Sequence, residues 1–263
     1  MTRRSTSLLL LAATLTIAGC KPDAAAKKAE VLDKSNGSAP VVTAPAADPS
    51  TFGTVKGVVH FTGTAPARIP IDMSMDPACT LSNNPNLSET LIASGGKLAN
   101  VYVYIKSGAP ASQAPAGTPA VVLDQKGCRY IPHVVAVQQG GTVNFANSDP
   151  TMHNIHTTPT NPGNASVDIS QGPMGQTQPH QFTSPEVMLP VRCNNHPWMN
   201  AFINVAPNPY FAVTGPDGSF SISLPPGTYT LAAVHEKLGE QDIQITVPAK
   251  SSTKAEFSFS ASK

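Results

Sequence analysis

One short stretch of this chain crowds together a cysteine, a histidine and a methionine: Cys193-Asn194-Asn195-His196-Pro197-Trp198-Met199. Upstream, Asp149-Pro150-Thr151-Met152-His153-Asn154-Ile155-His156 offers further imidazoles. A cysteine sulfur, two imidazoles and a weak thioether make the donor set of a blue-copper electron-transfer centre. Imidazole suits copper(II), sulfur suits copper(I), and a compact mixed site holds both. A Cys-x2-His in a loop is a weak signal alone, and its bland reading is a buried free cysteine beside two polar loop histidines. The flanks argue for more. Thr142-Val143-Asn144-Phe145 is strand-like ahead of the first piece. Val187-Met188-Leu189-Pro190-Val191 and Phe202-Ile203-Asn204-Val205 bracket the second.

The order His, then Cys-x2-His-x2-Met, resembles the cupredoxin family, and the short loop is most similar to the amicyanin branch. That resemblance implies copper ligands His153, Cys193 and His196, with Met199 as axial donor. It implies that Asn154, next to the first ligand, ties the two ligand loops together by hydrogen bonds. It also implies that the edge of His196 is the electron exit, ringed by apolar residues where a redox partner docks. Trp198 either serves there or caps the core. The sequence departs from many members at Val191, where they carry an aromatic residue. That change bears on packing around the sulfur more than on ligation.

Such a site needs a β-sandwich to bring its two halves together, and the composition favours one. The chain has 263 residues, enough for one or two domains. A net charge of +1 gives no footing for nucleic-acid binding or electrostatic membrane attachment. With 26 prolines, 19 glycines and few long apolar periodic runs, short strands and many turns are expected. Cys128 to Val137, the turn Gln139-Gly140-Gly141 and the two ligand segments resemble a small cupredoxin-like Greek-key sandwich over residues 119–207.

On either side lies a second pattern. Thr54 to Phe61 reads as a strand, as does Leu98 to Ile105, with Val101, Val103 and Ile105 opposite Tyr102 and Tyr104. Between them Gly63 to Gly96 is long and irregular, and residues 107–119 read as a loop. Further on, Phe220, Ile222 and Leu224 alternate, as do Tyr229, Leu231 and Ala233, and two more strands follow through Ile245 and Phe257. The run Thr214 to Leu231 resembles the carboxypeptidase regulatory-like, transthyretin-type sandwich. That family's opening Gly-x-Val and Val-x-Val strands match Gly53 to Phe61 and Asn100 to Ile105. The expectation is therefore an all-β chain of two β-sandwich domains. Residues 52–118 and 208–263 form a discontinuous sandwich, with the copper domain inserted at 119–207. Three successive modules are the alternative, disfavoured because two or three strands alone are marginal.

The N-terminus reads as a targeting segment. Arg3 and Arg4 precede an apolar run that ends Ile17-Ala18-Gly19-Cys20. This resembles a bacterial lipoprotein signal at residues 1–20, with Cys20 lipidated; an ordinary secretory signal is the alternative. The resemblance implies a periplasmic protein anchored to a membrane through its N-terminal lipid. Lys21, where an Asp would resemble an inner-membrane retention signal, favours the outer membrane. Residues 21–51, rich in Ala, Pro, Lys and Ser, read as a disordered tether.

With Cys20 given to lipid and Cys193 to copper, Cys79 and Cys128 remain, and an exported protein favours their pairing. Free thiols, or Cys128 joining His133 at a metal, are the competing readings. His133 itself reads as a surface histidine, a donor to another ligand, or part of a second site. His60, His156, His180 and His235 read as ordinary structural or surface residues, and Met152, Met174 and Met188 as core or loop residues. Extra methionines near a copper site would also suit copper(I) handling. No enzyme signature is present, and Asp217 and Glu236 read as turn and surface residues. The expected function is transfer of one electron between protein redox partners by a single type 1 copper. A copper-binding or delivery protein is one alternative. The other is a cell-surface module for carbohydrate or protein, with a structural metal site.

Overall fold

The computed structural model of the protein describes residues 48–80 and 86–261. The expected signal segment, Cys20 and nearly all of the expected tether lie outside them. A single 3-10 turn, Pro49–Thr51, precedes the strands. The first are β1 (Gly53–Thr62), β2 (Ala93–Ser94), β3 (Lys97–Leu98) and β4 (Tyr102–Ser107). The middle of the chain gives β5 (Val121–Gln125), β6 (Tyr130–Ile131), β7 (Val134–Gln138), β8 (Thr142–Asn147), β9 (His153–Thr157), β10 (Asp168–Gln171), β11 (Gln178–Gln181), β12 (Glu186–Arg192) and β13 (Asn200–Ala206). The last are β14 (Phe211–Val213), β15 (Ser219–Leu224), β16 (Gly227–His235), β17 (Gly239–Val247) and β18 (Ser252–Ser260). The protein is all-β, with no α-helix among the described residues.

The strands form four sheets. In one, β1 lies between antiparallel β15 and parallel β18, with β3 and β2 beyond. The order of the second is β14-β4-β16-β17. Alternation explains why these segments are strands: Phe220, Ile222 and Leu224 turn inward while Ser219, Ser221 and Ser223 face solvent. Val55, Val103, Leu231 and Phe257 meet them in one core. The expected single strand Leu98 to Ile105 is broken in two. Asn100 takes a left-handed φ of 61°, so β3 joins β1 in the first sheet while β4 pairs with β14 and β16 in the second. Both faces of β4 are buried. Tyr102 and Tyr104 stack at 4.7 Å and pack with Ala206, Ala232 and Val234, because β13 closes over the far side of that sheet.

The remaining two sheets run β10-β9-β12-β13-β7 and β11-β8-β5-β6. Between them lie Leu123, Phe145, Ile155, Leu189, Val191 and Ile203. Among the described residues, every strand partner of β5 to β13 falls within 121–206. Met73 and Cys79, from the irregular segment between β1 and β2, join this core. Cys79 is bonded to Cys128 as a disulfide, the pairing expected from the cysteine count.

Gly57 marks where β1 and β18 approach most closely. A β-carbon there would lie 1.6 Å from the carbonyl oxygen of Ala255 and 2.7 Å from the Phe220 ring. Neither can yield without opening the sheet. Gly57→Ala is expected to destabilise the protein by about 2–3 kcal/mol, seen as a lower denaturation midpoint at unchanged slope. A wild-type midpoint would refute this account of the packing.

Candidate metal centre

Neighbouring strands of one sheet deliver the candidate metal-donor side chains. β12 and β13 are antiparallel with Arg192 opposite Asn200, so residues 193–199 are the loop of a hairpin. Inside it the amide of Met199 donates to the His196 carbonyl at 2.9 Å, and that of Cys193 to the Met199 carbonyl at 3.4 Å. Strand β9 pairs with β12 on its other side, and His153 is its first residue. The register of three neighbouring strands therefore brings His153 to the hairpin loop.

His153, Cys193 and His196 are all buried, and their donor atoms lie within 4.8 Å of one another. Nδ1 of His153 is 2.9 Å from Nδ1 of His196, and the Cys193 sulfur is 3.6 Å from the latter. Each imidazole is held from behind. His153 Nε2 lies 2.8 Å from Asp149, whose carboxylate also accepts from the amides of Gly127 and Cys128. His196 Nε2 lies 3.0 Å from Asp76, which also accepts from the hydroxyl of Thr151 and the amide of Ala78. A carboxylate behind each ring fixes which nitrogen carries hydrogen and turns the other inward. Met199 is fully buried in the same core. Asn154 accepts from the Asn194 amide at 3.3 Å, a bond between the two segments that carry the candidate donors, and donates to Asp168. Tyr130 donates its hydroxyl to the Asn154 carbonyl.

The buried thiol and imidazole also shift each other's protonation. Burial opposes the Cys193 thiolate, but hydrogen bonds from His153, the Asn195 amide and His196 outweigh it and hold the thiol down at about 6. Burial likewise opposes the His153 cation, but Asp149 and Cys193 outweigh it and hold the ring up at about 9. The thiol thus loses its proton below neutrality while the imidazole keeps its own, and both charges persist between about 6 and about 9. In metal-free protein the ultraviolet thiolate absorbance, taken as wild type minus Cys193→Ala, is expected to rise with a midpoint near 6. A midpoint at the ordinary value near 9 would contradict this arrangement.

The donor set fits copper: a ready thiolate, two oriented imidazoles and a thioether, all shielded from water. Other residues stand apart. His156 points outward to Asn194, and His180 sits between Phe145 and Phe182, where burial lowers its basicity. His235 is buried, and burial lowers it to about 4. Two readings need correction. His133 is no surface residue but is buried, with Nδ1 3.1 Å from the Asn200 carbonyl and Nε2 2.6 Å from Glu236. The Glu236 side chain is accordingly only 6% exposed, turned in to His133 rather than out to solvent.

The expected bare edge of His196 also differs. Asp76 covers it, and the His196 side chain is only 5% exposed. Trp198 packs its ring 5.1 Å from His196 and donates to the Cys128 carbonyl. Asp76 and Asp149 were missed as partners of the two imidazoles. Asp149, four residues before His153, was a visible spacing signal. Asp76 carried none beyond its nearness to Cys79, whose bond to Cys128 brings it to the site.

The chain is thus an all-β protein with a buried Cys–His–His group able to hold a metal. No protein-family model and no curated relative matches the chain. Among solved structures it is similar to an oxidised amicyanin variant, at 24% identity over 39% of this chain and 97% of that one, with a TM-score of 0.30. It is similar to a reduced copper(I) form of another amicyanin variant, at 25% identity with the same coverage and TM-score. A third likeness is to copper-containing nitrite reductase from Thermus scotoductus SA-01, at 21% identity over 53% of this chain and 27% of that one, TM-score 0.30.

Proposed function

We propose that this chain carries one electron between protein redox partners through a single type 1 copper. His153, Cys193 and His196 are the strong donors and Met199 the weak axial one. The observation that carries this reading is the inward convergence of two carboxylate-backed imidazoles on a buried thiol of lowered pKa. Bound copper supplies a one-electron couple. The residues of the chain hold it, keep water away and limit rearrangement between oxidation states. Four buried donors leave no position for a substrate, which favours electron carriage over catalysis.

The same proposal places the protein in the periplasm, lipid-anchored through Cys20 with residues 21–51 as tether. It assigns 52–118 and 208–263 to one regulatory-like sandwich with 119–207 inserted, a division supported by the pairing of β1 with β15 and β18. A second reading, copper acquisition or delivery with the same ligands, is favoured by two exposed methionines beside His196. The test is the visible and electron-spin spectrum of the copper-loaded full chain. Electron carriage requires an intense cysteine-to-copper charge-transfer band and reversible one-electron reduction. Copper(II) binding without that band defeats it, and a band with fast metal exchange and no redox turnover favours delivery.

A further inference from the structure

His196 forms part of the wall between the buried donor group and the surface. Its Nδ1 faces His153, while its Nε2 meets Asp76 at the edge of a shallow cavity of about 300 Å³. Two methionines line that cavity with His196 and Asp76: Met75, 74% exposed, and Met152, 51% exposed. They come from separate segments, one from the disulfide-tied stretch before β2 and one immediately before β9. Single exposed apolar side chains are ordinary, but here two methionines from separate segments meet at one cavity mouth beside the same histidine. The chemistry they share is thioether sulfur, a soft donor that selects copper(I) over harder ions.

We propose that Met75 and Met152 form an outer copper(I)-binding site, the entrance through which the metal reaches the buried group. This inference rests on the copper reading above and adds the species taken up and its route. Copper(I) is captured by the two thioethers, with the Asp76 carboxylate beside them offsetting its charge. His196 is the residue shared by both sites, so a metal leaving the entrance has a donor ring already at hand. No electron is exchanged at capture; the metal arrives and is passed on as copper(I).

The experiment uses metal-free full chain kept without oxygen and a copper(I) chelate as donor. Met75→Leu/Met152→Leu removes both sulfurs at nearly constant volume and polarity, so it preserves the fold and any purely apolar docking surface. The double variant is expected to load more slowly, yet on oxidation to reach the wild-type charge-transfer band. In wild-type protein already carrying one copper(I), further copper(I) is expected to shift the Met75 and Met152 methyl resonances. Met174, 68% exposed but not lining this cavity, is the internal control and should not move. Loading of the double variant at the wild-type rate, or Met75 and Met152 responding no more than Met174, overturns the entrance. Absence of the band in wild type instead overturns the buried copper site, so the two failures are told apart.

Discussion

Cys193→Ala is expected to erase the visible charge-transfer band of the copper-loaded protein and to weaken copper binding severely. The band requires a sulfur-to-copper(II) bond, and among the described residues Cys193 is the only free cysteine. His153→Ala and His196→Ala should weaken binding or open the site to water, since each also strands a carboxylate, buried Asp149 or half-buried Asp76, without its imidazole. Met199 calls for a different outcome because an axial thioether bond is long and weak. Met199→Leu should keep the colour and raise the reduction potential, since loss of a donor disfavours copper(II). Met199→Gln should keep a cysteine–copper band and lower the potential, since a harder oxygen donor favours copper(II). Opposite signs are required. If neither substitution moves the potential, Met199 is not the axial donor.

The second large effect concerns the disulfide. Cys79→Ser/Cys128→Ser is expected to cost about 4 kcal/mol, from the loop entropy released when residues 49 apart in sequence are no longer joined. The loss should fall on a particular place. Asp76, near Cys79, reaches His196 only while this segment lies against the hairpin loop, so the imidazole edge should become open to solvent. A faster exchange of the His196 ring proton in magnetic resonance spectra, alongside the lower melting temperature, checks this. A double variant within about 1 kcal/mol of wild type, with His196 still protected, would mean that the packing of Met73 and its neighbours holds the segment without the bond.

The donor residues stood out in the sequence because the hairpin loop is local: Cys193, His196 and Met199 are joined by one short stretch, and only His153 had to be supplied by tertiary structure. Strand alternation was equally plain where one face meets solvent, as in β15 and β18. At β4 it assigned the two faces but not their burial: Tyr102 and Tyr104 occupy the alternate face and are buried against Ala206. Periodicity tells which residues share a face and says nothing of what covers it. The carboxylate over His196 was hidden for a related reason. Its position follows from a long irregular segment, a disulfide and a hydrogen bond to Thr151, none of which leaves a repeating mark. The pairing of His133 with Glu236 joins residues 103 apart, beyond the reach of any local pattern.

The place of β1 sets an order on synthesis. It is the first made of the described strands, yet two of its neighbours, β15 and β18, are among the last. Until the ribosome has passed residue 260, one edge of β1 has no partner, and Val55, Val59 and Phe61 lack most of their core. The strands from Val121 to Ala206 wait for nothing further along the chain, since their partners lie among themselves. The strands that carry His153 and Cys193 can therefore close while β1 is still an open edge, exposed the longest of the described strands.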